Sequence, residues 1–268
     1  MAEPATSSPF PDLERRAITL RGVMRTVFCT GAGPAVIIMH EAPGLYRGTV
    51  ELAHVVAAAG MRVYLPVLVG EPGRPITLRN TAENVARACV SREFTLLATR
   101  KNSAITDWLR ALARLAHQEC GGAGVGAIGM CLTGGFALAM MVDDVLRAPV
   151  LSQPSLPFGI TPAARRDLGV DDATLARIRA RTDVCVLGLR FTHDALVPDE
   201  RFRRLRDELG DRFLAVEIDS GPGNAHGLSR LSHSVLVHDR VARAGHPTQA
   251  ALERVISFLR ERLAVAST

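Results

Sequence analysis

Gly129-Met130-Cys131-Leu132-Thr133-Gly134-Gly135 sets a cysteine among small residues, after an apolar run and at the start of a helical pattern. A sharp strand-to-helix turn with a nucleophile at its apex needs this arrangement. Small neighbours permit the turn, and the helix N-terminus stabilises a thiolate. The bland alternative, a buried structural cysteine beside a glycine turn, fits the strand and helix context less well. Phe191-Thr192-His193-Asp194-Ala195-Leu196-Val197-Pro198 places Asp194 after another apolar run, where it either orients a histidine or caps a turn. Ser220-Gly221-Pro222-Gly223-Asn224-Ala225-His226-Gly227 offers a histidine in a small-residue loop. His233 and His238 compete for the same role, and His226 is favoured because it follows the preceding apolar run most closely. Met39-His40-Glu41-Ala42-Pro43-Gly44 puts Glu41 at the mouth of an apolar strand, which is costly unless the carboxylate is paired or functional.

Two other patterns carry less. Gly124, Gly126 and Gly129 match GxGxxG, but they lie before and within a strand rather than after it, so a nucleotide site is not expected. His226, His233 and His238 lack an acidic or cysteine partner at ligand spacing, so no metal site is expected.

The elements that must position these groups are legible in outline. Ala17–Leu20 and Met24–Cys29 alternate like hairpin strands around Arg21-Gly22. Ala35–Met39, Arg62–Leu65, Val125–Gly129, Ala148–Ser152, Asp183–Phe191 and Phe213–Ile218 read as strands. Gly48–Ala59, roughly Thr81–Ala98, Ser103–Glu119, Gly134–Val142, Asp199–Leu209 and Pro247–Leu263 read as helices. Strands alternating with helices imply a mainly parallel central sheet flanked by helices. Residues 1–14 are expected to be loose and 15–268 to form one domain. Cys131, Asp194 and His226 each follow a predicted strand, in the order nucleophile, acid, histidine, which is the chain order of the α/β-hydrolase fold.

Composition sets the outer limits. The 268 residues are 47% hydrophobic and 22% charged, enough to bury a core. The net charge of +5 comes from arginines interleaved with acids, Lys101 being the only lysine. With 4% aromatic residues and no dense basic run, nucleic acid is not an expected partner. The same charge suits a small anionic substrate. No apolar stretch is long enough to span a membrane, and no secretory leader is recognised. Five scattered cysteines (29, 89, 120, 131 and 185) argue for a reducing cytoplasm.

Together these motifs resemble the dienelactone hydrolase family. The residues that carry the likeness are His40-Glu41-Ala42-Pro43-Gly44, Gly129-Met130-Cys131-Leu132, His193-Asp194-Ala195-Leu196-Val197-Pro198 and His226-Gly227, and it spans about residues 15 to 262. The resemblance implies an α/β-hydrolase fold with Cys131 as nucleophile, His226 as base and Asp194 as orienting acid. It implies that Glu41 contacts the resting thiol, that the amides of Leu132 and Ala42 form the oxyanion hole, and that Arg230 binds a substrate carboxylate. The chain differs from the family pattern at Thr133, where glycine is usual, and at Gly227, where dienelactone-specific members carry a serine. Arg74, Arg79 and Arg92 are open candidates for a second substrate arginine, and the segment Leu68–Ser103 is a candidate cap over the site.

The expected activity is hydrolysis of a carboxylate-bearing lactone or ester through an acyl-thioester, without metal or organic cofactor, in a monomer or homodimer. A broader carboxylesterase or thioesterase is the alternative within enzymes. A non-catalytic ligand-binding or redox-sensing scaffold is the alternative outside them.

Overall fold

The computed structural model describes residues 8–42, 44–75, 77, 81, 83 and 104–265. The expected helix beyond Thr81, most of the candidate cap, Cys89, Arg79 and Arg92 lie outside the described residues.

The chain runs β1 (Glu14–Leu20), β2 (Val23–Thr30), β3 (Ala35–Met39), α1 (Arg47–Ala58), β4 (Arg62–Pro66), α2 (Ala104–Cys120) and β5 (Val125–Met130). After a 3-10 turn at Cys131–Thr133 come α3 (Gly134–Ala139), β6 (Leu146–Ser152), α4 (Pro162–Arg166), α5 (Asp172–Ala180) and β7 (Val186–Phe191). The last elements are α6 (Asp199–Leu209), β8 (Phe213–Ile218) and α7 (Pro247–Arg262). The eight strands form one sheet in the order β1-β2-β4-β3-β5-β6-β7-β8. The pairs β1–β2 and β2–β4 are antiparallel, and from β4 to β8 every pair is parallel. This is the α/β-hydrolase architecture expected from the alternation of strands and helices.

The all-apolar strands are buried because helices cover both faces. Every residue of β3 and β5 is buried. Ile37 and Ala127 pack with Trp108, Leu112 and Phe136 on one face. Ile38, Ile128 and Val150 pack with Val56, Val255, Phe258 and Leu259 on the other. The β5 glycines owe their places to this packing. A Cβ on Gly126 would lie 2.8 Å from Leu259, and one on Gly129 would lie 2.4 Å from the Thr133 carbonyl oxygen. Gly126 and Gly129 thus permit close approach of a helix and of the turn that follows.

Two expectations are corrected. The N-terminal segment is not loose from residue 8 onward: Phe10 and Leu13 are buried, and the Phe10 ring meets Phe28 edge to face at 5.2 Å. The helix expected over Gly134–Val142 is α-helical only to Ala139 and closes with a 3-10 turn at Met140–Val142. The stretch between β6 and β7 holds α4 and α5, which are not among the helices expected from the sequence; Thr161 before Pro162, and Asp171, each accept a bond from a backbone amide three residues on. Among the described residues, no helix is long and apolar enough to cross a membrane.

Candidate active site

Cys131 sits at the turn between β5 and α3 with φ of +56°, a left-handed conformation that a side chain adopts only when its surroundings enforce it. Thr133 does much of the enforcing. Its hydroxyl accepts a bond from the Met130 amide at 2.9 Å and lies 3.0 and 3.2 Å from the carbonyls of Met39 and His40. A threonine where the family favours glycine thus ties the elbow to the end of β3.

The loop after β3 is fixed by His40, which is wholly buried. Its Nε2 accepts from the amides of Leu68 and Val69 at 3.0 and 3.4 Å, so Nδ1 carries the proton toward the Glu41 carbonyl at 2.9 Å. Burial pushes this imidazole down to about 4, so it stays neutral. The chain leaves this anchor as Glu41, whose Oε1 accepts from Gln153 Nε2 at 2.6 Å and whose Oε2 accepts from the Tyr46 hydroxyl at 3.2 Å. Burial raises the proton affinity of Glu41 above that of an ordinary glutamate, opposed by bonds from Ser234 and Tyr46 and by the nearby His233. The same burial, with Glu41 adjacent, pushes the Tyr46 phenol up.

Asp194 turns off the end of β7. Its Oδ1 accepts from the Leu196 amide at 2.9 Å, and Oδ2 meets Nδ1 of His233 at 2.6 Å. Arg190 braces this loop by donating to the Val197 carbonyl at 3.1 Å and to Asp199 at 2.7 Å. His233 is therefore the histidine the structure brings to Asp194. Burial opposes its charge, but Asp194 and Cys131 outweigh that and lift it to about 11. Cys131 and His233 line the same cavity, and the Ser155 hydroxyl contacts both.

His226 is corrected by this arrangement. It is exposed and stands edge to face with His246, ring centroids 5.4 Å apart. The reason is distance across the sheet. β8 lies three strands from β5, roughly 14 Å at the usual strand spacing. The turns at Gly221–Asn224 and Asn224–Gly227 coil the chain at the edge instead of spanning that gap. His233, seven residues further on, arrives. Asp239 Oδ2 then fixes its loop by accepting from the amides of His233 and Ser234, each at 2.8 Å. The residue after the site histidine is accordingly Ser234, so the departure noted at Gly227 does not concern this histidine.

Sequence reasoning passed over Tyr46, Gln153, Ser155 and Ser234. Ser155 Oγ lies 3.7 Å from Cys131 Sγ and 3.4 Å from His233 Nε2. Tyr46, Ser155 and Ser234, with Cys131 and His233, line a cavity of about 490 Å³, walled by Ala42, Leu132, Phe158, Leu196 and Leu231 with Glu41, His238 and Asp239. Ala42 and Leu132, the two residues whose amides were expected to bind an oxyanion, thus flank Cys131 at the cavity. Arg230 is exposed and is not among the residues that line it. Arg74 pairs with Glu71 at 2.9 Å. Among the described residues no cluster of His, Cys, Asp and Glu would hold a metal ion.

The sheet order and the elbow define an α/β hydrolase. The family model of the dienelactone hydrolases matches residues 24–263, and the chain belongs to that family. Solved structures agree on the fold. A protein assigned as a dienelactone hydrolase from Klebsiella pneumoniae superposes with a TM-score of 0.63 at 17% identity, over 93% of this chain and 98% of that one. The dienelactone hydrolase from Anabaena variabilis gives 0.57 at 17% identity, over 94% and 99%. A dienelactone hydrolase-like promiscuous phosphotriesterase from metagenomic libraries gives 0.59 at 19% identity, over 91% and 97%. No match was found among curated protein sequences. The chain is a hydrolase of the ester- and lactone-cleaving kind.

Proposed function

We propose that the chain hydrolyses small esters or lactones through a triad of Cys131, His233 and Asp194. The observation that carries the reading is His233, bonded to Asp194 at 2.6 Å and sharing a cavity with a cysteine held at a positive-φ elbow. His233 holds a proton through the neutral range and enters the cycle as the acid, with Cys131 attacking as its thiolate. The Sγ–carbon bond forms as the carbonyl π pair moves to oxygen, where the amides of Leu132 and Ala42 receive the negative charge. As that pair returns, the bond to the alkoxy or enol oxygen breaks and the leaving oxygen takes the proton from His233. The neutral imidazole then draws a proton from water, which attacks the thioester, releases the acid and regenerates the thiolate–imidazolium pair. Asp194 holds the imidazole ring in the orientation both steps require.

The apolar walls and the carboxylates of Glu41 and Asp239 favour an uncharged acyl group. The carboxylate clamp expected of Arg230 is not part of this reading, since that side chain lies off the cavity. The test compares p-nitrophenyl acetate, dienelactone and a neutral lactone with the wild type, Cys131→Ala and His233→Ala. Turnover of the neutral substrates that is lost in both variants supports the proposal. Turnover surviving Cys131→Ala overturns it, and a strong preference for the carboxylated lactone overturns the substrate class.

A further inference from the structure

The Ser155 hydroxyl touches both reacting side chains. It lies 3.7 Å from Sγ of Cys131 and 3.4 Å from Nε2 of His233, and 3.1 Å from the Gln153 carbonyl. Its position is built rather than incidental. The Ser155 amide donates to the Cys131 carbonyl at 3.1 Å, and the Gln153 amide donates to the Leu189 carbonyl at 2.7 Å. On the outer side, the buried guanidinium of Arg201 donates to the carbonyls of Pro154 at 2.6 Å, Asp167 at 2.9 Å and Ala164 at 3.2 Å, and also to that of Pro157. Four carbonyl dipoles hold this cation, and together they clamp the segment that carries Ser155 onto α6.

Glu41, meanwhile, is engaged elsewhere. Its two oxygens are held by Gln153 and Tyr46. We infer that Ser155 is a catalytic residue which donates its hydroxyl hydrogen to the Cys131 thiolate, so that the nucleophile is held ready by Ser155 and His233 before substrate arrives, with Glu41 acting as a wall of the cavity. The inference rests on the triad proposed above.

Its chemistry is a hydrogen bond that changes acceptor. In the resting state the Ser155 hydroxyl points to the negatively charged sulfur. Once the sulfur is acylated it is a poor acceptor, and the same hydrogen turns to the Gln153 carbonyl. No proton leaves Ser155 at any step. Hydrogen bonds to charged groups are strong enough that losing this one should cost the thiolate about tenfold in population, or about one unit in the pH at which it forms.

The experiment follows iodoacetamide alkylation of Cys131 against pH, without substrate, in the wild type, Ser155→Ala and Ser155→Thr. The kcat/KM for p-nitrophenyl acetate is measured in parallel, with Cys131→Ala as the reference. Glu41, Tyr46, His233, His238 and Asp239 line the cavity with the thiol, and Asp194 bonds His233, in every Ser155 variant, so the profile reads Ser155 alone. The expected result is an alkylation midpoint about one unit higher and kcat/KM about tenfold lower for Ser155→Ala, with both restored by Ser155→Thr. If Ser155→Ala fails to fold, Ser155→Val against Ser155→Thr repeats the comparison at matched shape. A midpoint and kcat/KM unchanged on loss of the hydroxyl overturn the inference while leaving the triad intact. Full activity in Cys131→Ala overturns the triad itself.

Discussion

Acid should loosen this protein through His40. The ring is wholly buried, and Nε2 is already occupied by two backbone amides, so no acceptor site is left for a second proton. Burial sets its folded value to about 4, against 6.5 for an ordinary histidine. Below pH 6.5 the unfolded chain therefore takes up a proton that the folded chain refuses. Stability is full above the unfolded value and falls until the folded value is reached, after which both states are protonated. At 1.36 kcal/mol per unit the loss is about 3 kcal/mol, a large share of the margin of a typical domain. His40→Gln isolates it from the many carboxylates that also titrate. The variant should be less stable at about pH 7.5 by ~1–3 kcal/mol, because the flexible amide replaces a rigid ring that serves the Leu68 and Val69 amides and the Glu41 carbonyl at once. That gap should close by about 3 kcal/mol on moving to about pH 4. Urea unfolding of both proteins across that range measures it. A gap that stays constant with pH would show that His40 does not titrate as its surroundings dictate.

Other expectations follow from the same contacts. His233→Ala should lower kcat by roughly 10²- to 10⁴-fold, whereas His226→Ala should leave ester turnover within about twofold, since its ring is exposed and stands against His246, off the cavity; steady-state kinetics decide between the two histidines. Thr133→Val should cost ~1–3 kcal/mol by orphaning the Met130 amide, seen as a lower unfolding midpoint. Arg201→Met removes the donor to four carbonyls and should destabilise by ~3 kcal/mol or more; an unchanged melting temperature would dismiss the clamp. His233 works opposite to His40: its value is raised, so the stability it contributes is present below pH 6.5 and lost as pH rises through about 11, and an alkaline limb absent from His233→Gln would show it.

The local pattern of the sequence carried the sheet and the elbow because both are local problems. An all-apolar β3, an all-apolar β5 and the small residues around Cys131 each state their environment within a few positions. Asp194 was legible for the same reason, following its strand by three residues. The histidine was not. Choosing His226 over His233 assumed that the residue nearest the strand end is nearest the nucleophile, but β8 lies at the sheet edge and the turns at Gly221–Gly227 delay the crossing. Ser155 and Gln153 were missed because no motif surrounds them; only the packing of β6 beside β5 brings them to Cys131. Arg230 shows the limit of carrying a role by spacing, since its offset was counted from the wrong histidine.

The late position of His233 also bears on the order in which the chain acquires chemistry. Synthesis runs from the N-terminus, and domains assemble as their segments emerge. A nascent chain that has released Ile218 already contains Cys131 and Asp194, but the imidazole that joins them is still to come. The binding loop can close only after β8 has paired with β7 and Asp239 has gathered the amides of His233 and Ser234. Until then Cys131 and Asp194 are both made, with no imidazole between them. Reactivity is thus withheld from every incomplete form of the protein and granted with the closing of its final loop.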